Sequence, residues 1–172
     1  MNPAVQILSI REDYADGLRE AVDCVARERR YLASVEGFSL DETLNFIRQI
    51  EGGGGVQFVA LENDTVVGWC DITRPRYAGF EHLGVLGMGV IASHRHQGLG
   101  KQLLQVAMEA AGKIGITKVE LEVFASNVPA IALYEAAGFV TEGVKKGSRR
   151  LDGHIDDIVC MAYFLDNTKS AN

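Results

Sequence analysis

The sequence predicts an α/β domain, a mixed central sheet of about seven strands flanked by about four helices. Three observations carry that prediction. The hydrophobic period switches repeatedly between two and about 3.6 residues. Two β-rich runs, Val56 to Leu61 and Val66 to Ile72, are joined by the hairpin signal Glu62-Asn63-Asp64-Thr65. A strand, helix, strand passage between about His82 and Phe124 is long enough only for a parallel crossover. The 172 residues suit a single domain over 1–172, which would bury about two thirds of its unfolded surface.

In order, Val5 to Ile10 reads as a first strand. Asp13 is placed to cap a helix running to about Arg30, with Leu18, Val22, Val25 and Ala26 on one side and Arg27 to Arg30 on a solvated face. Ser39 and Glu42 form a capping box before a second helix, whose buried stripe is Leu44, Ile47 and Ile50. Gly52 to Gly55 stop that helix. After the two hairpin strands, a third run from about His82 to Ile91 leads into a helix from Leu99, closed by Gly115. Lys118 to Phe124 alternates strictly, so Val119, Leu121 and Val123 share one face and Glu120, Glu122 and Phe124 the other. Pro129 opens a short helix that ends at Gly138. Phe139 to Lys146 and Ile155 to Leu165 make a final hairpin across Arg149, Arg150, Asp152 and Gly153, followed by a frayed tail from Asn167 to Asn172.

Chemistry concentrates where the third run turns into its helix, at Ser93-His94-Arg95-His96-Gln97-Gly98-Leu99-Gly100-Lys101. Glycines permit a tight turn and close approach of a ligand, and the first four N–H groups of the following helix lack internal partners. The helix dipole, Arg95 and Lys101 add positive potential, so the pattern describes a cradle for a phosphate or pyrophosphate. A Walker A loop is excluded because Gln102 stands where Ser or Thr must hold magnesium. A dinucleotide fingerprint, formally present from Gly87, fails because polar residues follow where its helix should begin.

Composition narrows the field further. A net charge of -6 argues against a nucleic-acid surface and requires that any polyanion site be locally positive. No run approaches 18 apolar residues and the N-terminus lacks signal-peptide features, so a cytoplasmic protein without a membrane partner is expected. Cys24, Cys70 and Cys160 are widely spaced and read as reduced thiols. His94 and His96 have no further ligand at metal spacing, so no metal is expected.

Arg95-x-x-Gly98-x-Gly100 resembles the coenzyme A pyrophosphate loop of the GNAT N-acetyltransferase superfamily, and Asn127-x-x-Ala130-x-x-Leu133-Tyr134-x-x-x-Gly138-Phe139 resembles a second element of that family. Leu121-Glu122-Val123 looks like the corresponding strand of the ribosomal-protein branch, whereas Val119 to Tyr163, with Arg150-Leu151-Asp152-Gly153-His154, is similar to the branch acting on amino acids and related amines. The resemblance implies acetyl-CoA as cosubstrate. Met88, Gly89, Val90 and Ile91 would pair with the pantetheine arm, Arg95, His96, Gln97, Gly98, Leu99, Gly100 and Lys101 would hold the pyrophosphate, and Asn127, Ala130 and Tyr134 would line the arm. Residues 1–80 would form the acceptor side and meander, and 81–165 the acetyl-CoA-binding core. Tyr134 is the expected proton donor to the leaving thiolate. Glu122 is the first candidate for the base, with Glu81 and His82 as alternatives, and Glu36 and His82 are candidates to contact the acceptor. His154, Asp156 and Asp157 also have positions from which to meet an ammonium group. The expected activity is acetyl transfer to a primary amine of a small molecule such as an amino acid. The alternatives are a protein N-terminus as acceptor or a coenzyme A-binding module without turnover, and a homodimer is compatible with the basic residues of the last hairpin.

Overall fold

The computed structural model describes residues 5–165, so the expected tail from Asn167 to Asn172 lies outside the described residues. The elements run β1 (Gln6–Ser9), α1 (Ala15–Arg27), α2 (Leu40–Gln49), β2 (Gly55–Glu62), β3 (Thr65–Thr73), β4 (Leu83–Val90), α3 (Leu99–Lys113), β5 (Lys118–Phe124), α4 (Val128–Ala137), β6 (Val140–Leu151) and β7 (His154–Phe164). They build one seven-stranded sheet in the order β1-β2-β3-β4-β5-β7-β6, antiparallel except for the β4–β5 pair. The expected α/β architecture is therefore the observed one.

Two apolar layers sandwich the sheet. On one side, Leu103, Leu104 and Ala107 of α3 pack with Ile72, Leu86, Val119, Leu121 and Met161. On the other, Leu18, Ala21 and Val25 of α1 and Ile47 of α2 pack with Val59, Leu61 and Trp69. The strand period of two decides which residues go where: Cys70 and Ile72 join the α3 layer while Trp69, one residue on, joins the α1–α2 layer. Ser39 and Glu42 form the capping box, with Glu42 Oε2 accepting from Ser39 N at 2.8 Å. Asn63 and Asp64 both take left-handed φ at the β2–β3 turn, which lets the turn follow the twist of the strands.

Three local readings are corrected. Asp13 does not cap α1; a 3-10 turn over Glu12–Tyr14 precedes the helix. The helix ends at Arg27 because Arg29 has φ of 59°, and its expected solvated end instead makes long-range ion pairs through Glu28 and Arg29. Arg149 and Arg150 belong to β6, and only Asp152 and Gly153 make the turn, both with positive φ. Among the described residues no helix is long and apolar enough to cross a membrane.

Candidate active site

The central strands part. β4 and β5 pair only through Leu83↔Lys118, Gly84↔Val119 and Val85↔Glu120, although β4 continues to Val90 and β5 to Phe124. β4 stays paired with β3 along this length, from Val85↔Thr73 to Val90↔Gly68. The β5-facing edge of Leu86 to Val90 is consequently a row of backbone groups without a strand partner. Buried backbone groups require partners, so this wedge suits an extended ligand that carries amides. Ile91 is not part of the row, because its N–H donates to Val67 O at 3.0 Å.

The wedge opens onto the glycine turn. Gly98 is the N-cap of α3 with φ of 79°, a left-handed conformation that disfavours any side chain, and a Cβ there would meet nothing within 4 Å. His96 is also left-handed, with φ of 59°. Among the described residues, no carbonyl accepts from the amides of residues 96–101, and the first turn of α3 brings no acidic side chain. The amides that a diphosphate needs are thus unoccupied by the protein's own acceptors. Lys101 is exposed in that first turn, while the Gln97 side chain turns back to Ser93 O at 3.0 Å.

Arg95 departs from its expected role as a phosphate-facing charge. Its guanidinium forms a forked pair with Glu28 at 2.8 and 2.5 Å, its Nε donates to Val90 O at 2.8 Å, and it stacks 4.6 Å above the Tyr31 ring. It fastens the end of β4 to the end of α1. The side chain shapes the turn, and the positive potential of the cradle comes from backbone amides and Lys101.

Tyr134 reaches the wedge from the α3–α4 side. It is 7% exposed and packs in the cluster that includes Leu86 of β4 and Val123 of β5. Burial, with a smaller influence from the Cys70 thiol, pushes the phenol well above its ordinary value, so it stays protonated. Asn127 caps α4 through Oδ1, which accepts from Ala130 N at 3.4 Å, and its amide Nδ2 remains as the donor for a ligand.

A turn of unpaired amides leading down a strand gap to a buried phenol is a describable arrangement, and comparison places it. The family described as Acetyltransferase (GNAT) family matches residues 21–139. The chain belongs to this family. It is similar to the Escherichia coli [Ribosomal protein bS18]-alanine N-acetyltransferase, 33% identical over 78 residues, covering 45% of this chain and 53% of that protein. It is also similar to the Escherichia coli L-amino acid N-acetyltransferase AaaT, 29% identical over 114 residues, covering 66% of this chain and 68% of that one. The chain spans about half the length of the first curated relatives it matches. In fold it resembles YncA from Salmonella typhimurium, solved with its cofactor acetyl-CoA, with a TM-score of 0.89 and 19% identity over 98% of each chain.

Within this GNAT scaffold Glu122 stays beside the wedge, two residues past Glu120 on the unpaired stretch of β5, while the other sequence-predicted residues disperse. Glu122 stands on the α1–α2 side of β5, half in water, and is ion-paired with Lys145 of β6. Glu81 and His82 sit at the paired end of β4, away from the cradle. Glu81 lines an open cleft with Arg48, Arg74 and Arg76, and the exposed His82 offers its backbone carbonyl to Thr117 and Lys118. Glu36 lies in the α1–α2 connection, next to the Gly37 amide that donates to Asp23 at 2.8 Å. Asp156 is taken by Ser126 at 2.5 Å and Asp157 by Lys146 and Gly147 N at 2.8 Å, so neither awaits an ammonium. His94 bonds Glu62 at 3.1 Å, and no group of metal-binding side chains occurs among the described residues.

Sequence reasoning missed two features of the structure. One is the clasp in which Arg29 makes a forked pair with Asp152 at 2.8 and 2.7 Å, while Arg149 donates to Arg29 O and stacks 4.2 Å above Phe124. It joins the α1–α2 connection to the β6–β7 turn across the Phe124 face of β5, and separations of more than a hundred residues leave no local signal. The other is Asp71, a carboxyl inside the apolar run Val66 to Ile72; its presence there was the available signal.

Proposed function

We propose that this GNAT protein is an acetyl-CoA-dependent N-acetyltransferase that transfers an acetyl group directly to the primary amine of a small molecule such as an amino acid. The observation that carries the reading is the set of unpaired amides at 96–101 opening into the β4–β5 wedge and ending at Tyr134. Acetyl-CoA supplies the activated acetyl group. The amides of His96 to Lys101 hold its pyrophosphate, the free edge of Leu86 to Val90 and the Asn127 carboxamide hold the amides of its arm, and Gly98 lets the phosphates come close. Tyr134, kept protonated by burial, donates to the sulfur as negative charge develops there.

Only a neutral amine attacks. An α-amino group with a pKa near 8 is roughly one tenth neutral at pH 7, against fewer than about one in a thousand for a lysine-like amine. The Arg29–Asp152 clasp, which ties the α1–α2 connection to the β6–β7 turn, supports a small acceptor over a folded protein. A protein N-terminus is the second reading, supported by the 33% identity to the ribosomal-protein enzyme. The test has two parts. Saturating acetyl-CoA raises the melting temperature, and thiol release is then followed with free amino acids, polyamines and peptide N-termini. Amino-acid turnover exceeding peptide turnover is expected; absence of any thermal shift removes the reading, and preference for peptides replaces it with the second.

A further inference from the structure

On the α1–α2 side of the sheet, a carboxyl and a carboxamide stand opposite each other, and among the described residues the carboxamide oxygen has no partner. Asp71 of β3 and Gln57 of β2 are register partners, which places their Cβ atoms about 5 Å apart on one face. Gln57 is 4% exposed, and among the described residues its Oε1 has no hydrogen-bond partner. Such an acceptor costs about 1–3 kcal/mol when left unpaired, which is the mark of a group kept for a ligand. The Asp71 carboxyl is pushed up to about 7 by burial, with no charged group or hydrogen bond contributing.

The surroundings of Asp71 are otherwise neutral. Its β4 partner is Gly87, and Val85 and Gly89 share that face. From β2 come Gln57 and Val59, and from α1 and α2 the inward residues are Ala21, Val25, Thr43, Ile47 and Ile50. The charged groups on the same side are paired among themselves: Glu120 with Lys118 and Glu122 with Lys145 along β5 and β6, Arg29 with Asp152 beside Arg149, and Glu28 with Arg95 at the end of α1. Cys70 points to the opposite layer.

Position relative to the wedge turns this pair into a site. Gly87 lies two residues beyond Val85, the last β4 residue paired with β5, so Asp71 is one strand in from the open gap. A Cβ on Gly87 would stand 3.1 Å from Asp71 Oδ2, so with glycine there no β4 side chain comes between the gap and the carboxyl. Cys70 and Asp71 are consecutive, and the thiol lies near enough to Tyr134 to influence its titration. Proton donor and carboxyl therefore approach the wedge from opposite faces of the sheet.

We infer that Asp71 and Gln57 seat the acceptor amine and that Asp71 takes its proton. The inference rests on the N-acetyltransferase reading and names its amine subsite. The ammonium group donates N–H bonds to the Asp71 carboxylate and to Gln57 Oε1. One proton passes to Asp71, the nitrogen lone pair forms the bond to the acetyl carbon, and the carbon–sulfur bond breaks towards the Tyr134 face. The second nitrogen proton is matched by protonation of the leaving sulfur through Tyr134, and the proton on Asp71 returns to water, leaving amide, free thiol and one released proton.

The test compares wild type, Asp71→Asn and Gly87→Ala by thiol release between pH 5.5 and 9.5, with an amine selected from the panel on the wild type, and measures acetyl-CoA affinity by calorimetry. Wild-type kcat/KM for the amine is expected to rise through pH 7. Asp71→Asn lowers kcat by about a hundredfold or more at pH 7, leaves acetyl-CoA affinity unchanged, and regains part of the rate by pH 9.5 as the amine sheds its own proton. Gly87→Ala, which keeps the carboxyl, raises KM for the amine several-fold and serves where Asp71→Asn does not fold. An active wild type with an unaltered rate and pH profile in Asp71→Asn, or an unchanged KM in Gly87→Ala, overturns the assignment. A wild type that binds acetyl-CoA but acetylates no amine overturns the enzymatic reading itself.

Discussion

Replacing Asp71 by Asn should make the protein more stable above neutral pH while giving no gain in acid. Burial moves the carboxyl from 3.8 to about 7, and a raised folded-state pKa means that stability is fully present below the unfolded value and is lost as pH rises through the folded one. Below about pH 3 the carboxyl is protonated in both states and costs nothing. Between about pH 4 and 7 the unfolded chain ionises first, and above 7 the folded protein carries an unpaired, partly buried carboxylate. The interval corresponds to about 4 kcal/mol, from which the amide's own incompletely bonded donors subtract about 1–2 kcal/mol. Asp71→Asn is therefore expected to gain about 2–3 kcal/mol at pH 8.5, and at pH 4.5, where the linkage term is only about 1 kcal/mol, to show no gain or a loss of up to about 1 kcal/mol. For a chain of this size that is a rise of roughly 5–10 °C in melting temperature at the higher pH. Urea unfolding of both proteins at the two pH values reads the difference directly. An equal effect at both pH values, or a loss of stability at pH 8.5, would refute the account of Asp71 as an uncompensated carboxyl. Stability bought by the same change that removes activity would mark a site held in tension for function.

Two other predictions concern the remaining corners of the site. Tyr134→Phe keeps the ring that packs 5.7 Å from Phe139 and removes only the hydroxyl, so kcat should fall about ten- to a hundredfold with acetyl-CoA affinity unchanged; steady-state kinetics beside calorimetry separates the two, and an unchanged kcat returns the residue to the core. Glu28→Gln breaks the forked pair with Arg95 while both partners are about a quarter exposed, so stability should drop by about 1–3 kcal/mol. Because Arg95 also fixes Val90 O, acetyl-CoA should bind several-fold more weakly, and wild-type affinity in Glu28→Gln would show that the turn needs no such anchor.

The sequence alone determined whatever depends on neighbours in the chain. Strict alternation from Lys118 to Phe124 assigned the two faces of β5, Ser39 and Glu42 announced the start of α2, and Gly98 and Gly100 marked the turn whose amides stay unpaired, because caps, periodicity and positive φ are local properties. Tertiary structure decided the partners of charge. Arg95 read as a phosphate ligand because guanidinium beside glycine has that chemistry, yet Glu28 lies 67 positions away and claims it. Glu122 read as a base because of its strand face, and the fold of β6 adds a partner, Lys145, that the sequence did not announce. Asp71 was passed over because an isolated carboxyl in an apolar run acquires meaning only once burial strips it of water, β2 sets Gln57 opposite, and β4 and β5 part beside it. Electrostatic environment is a property of three-dimensional packing, and a one-dimensional pattern contains only the charges.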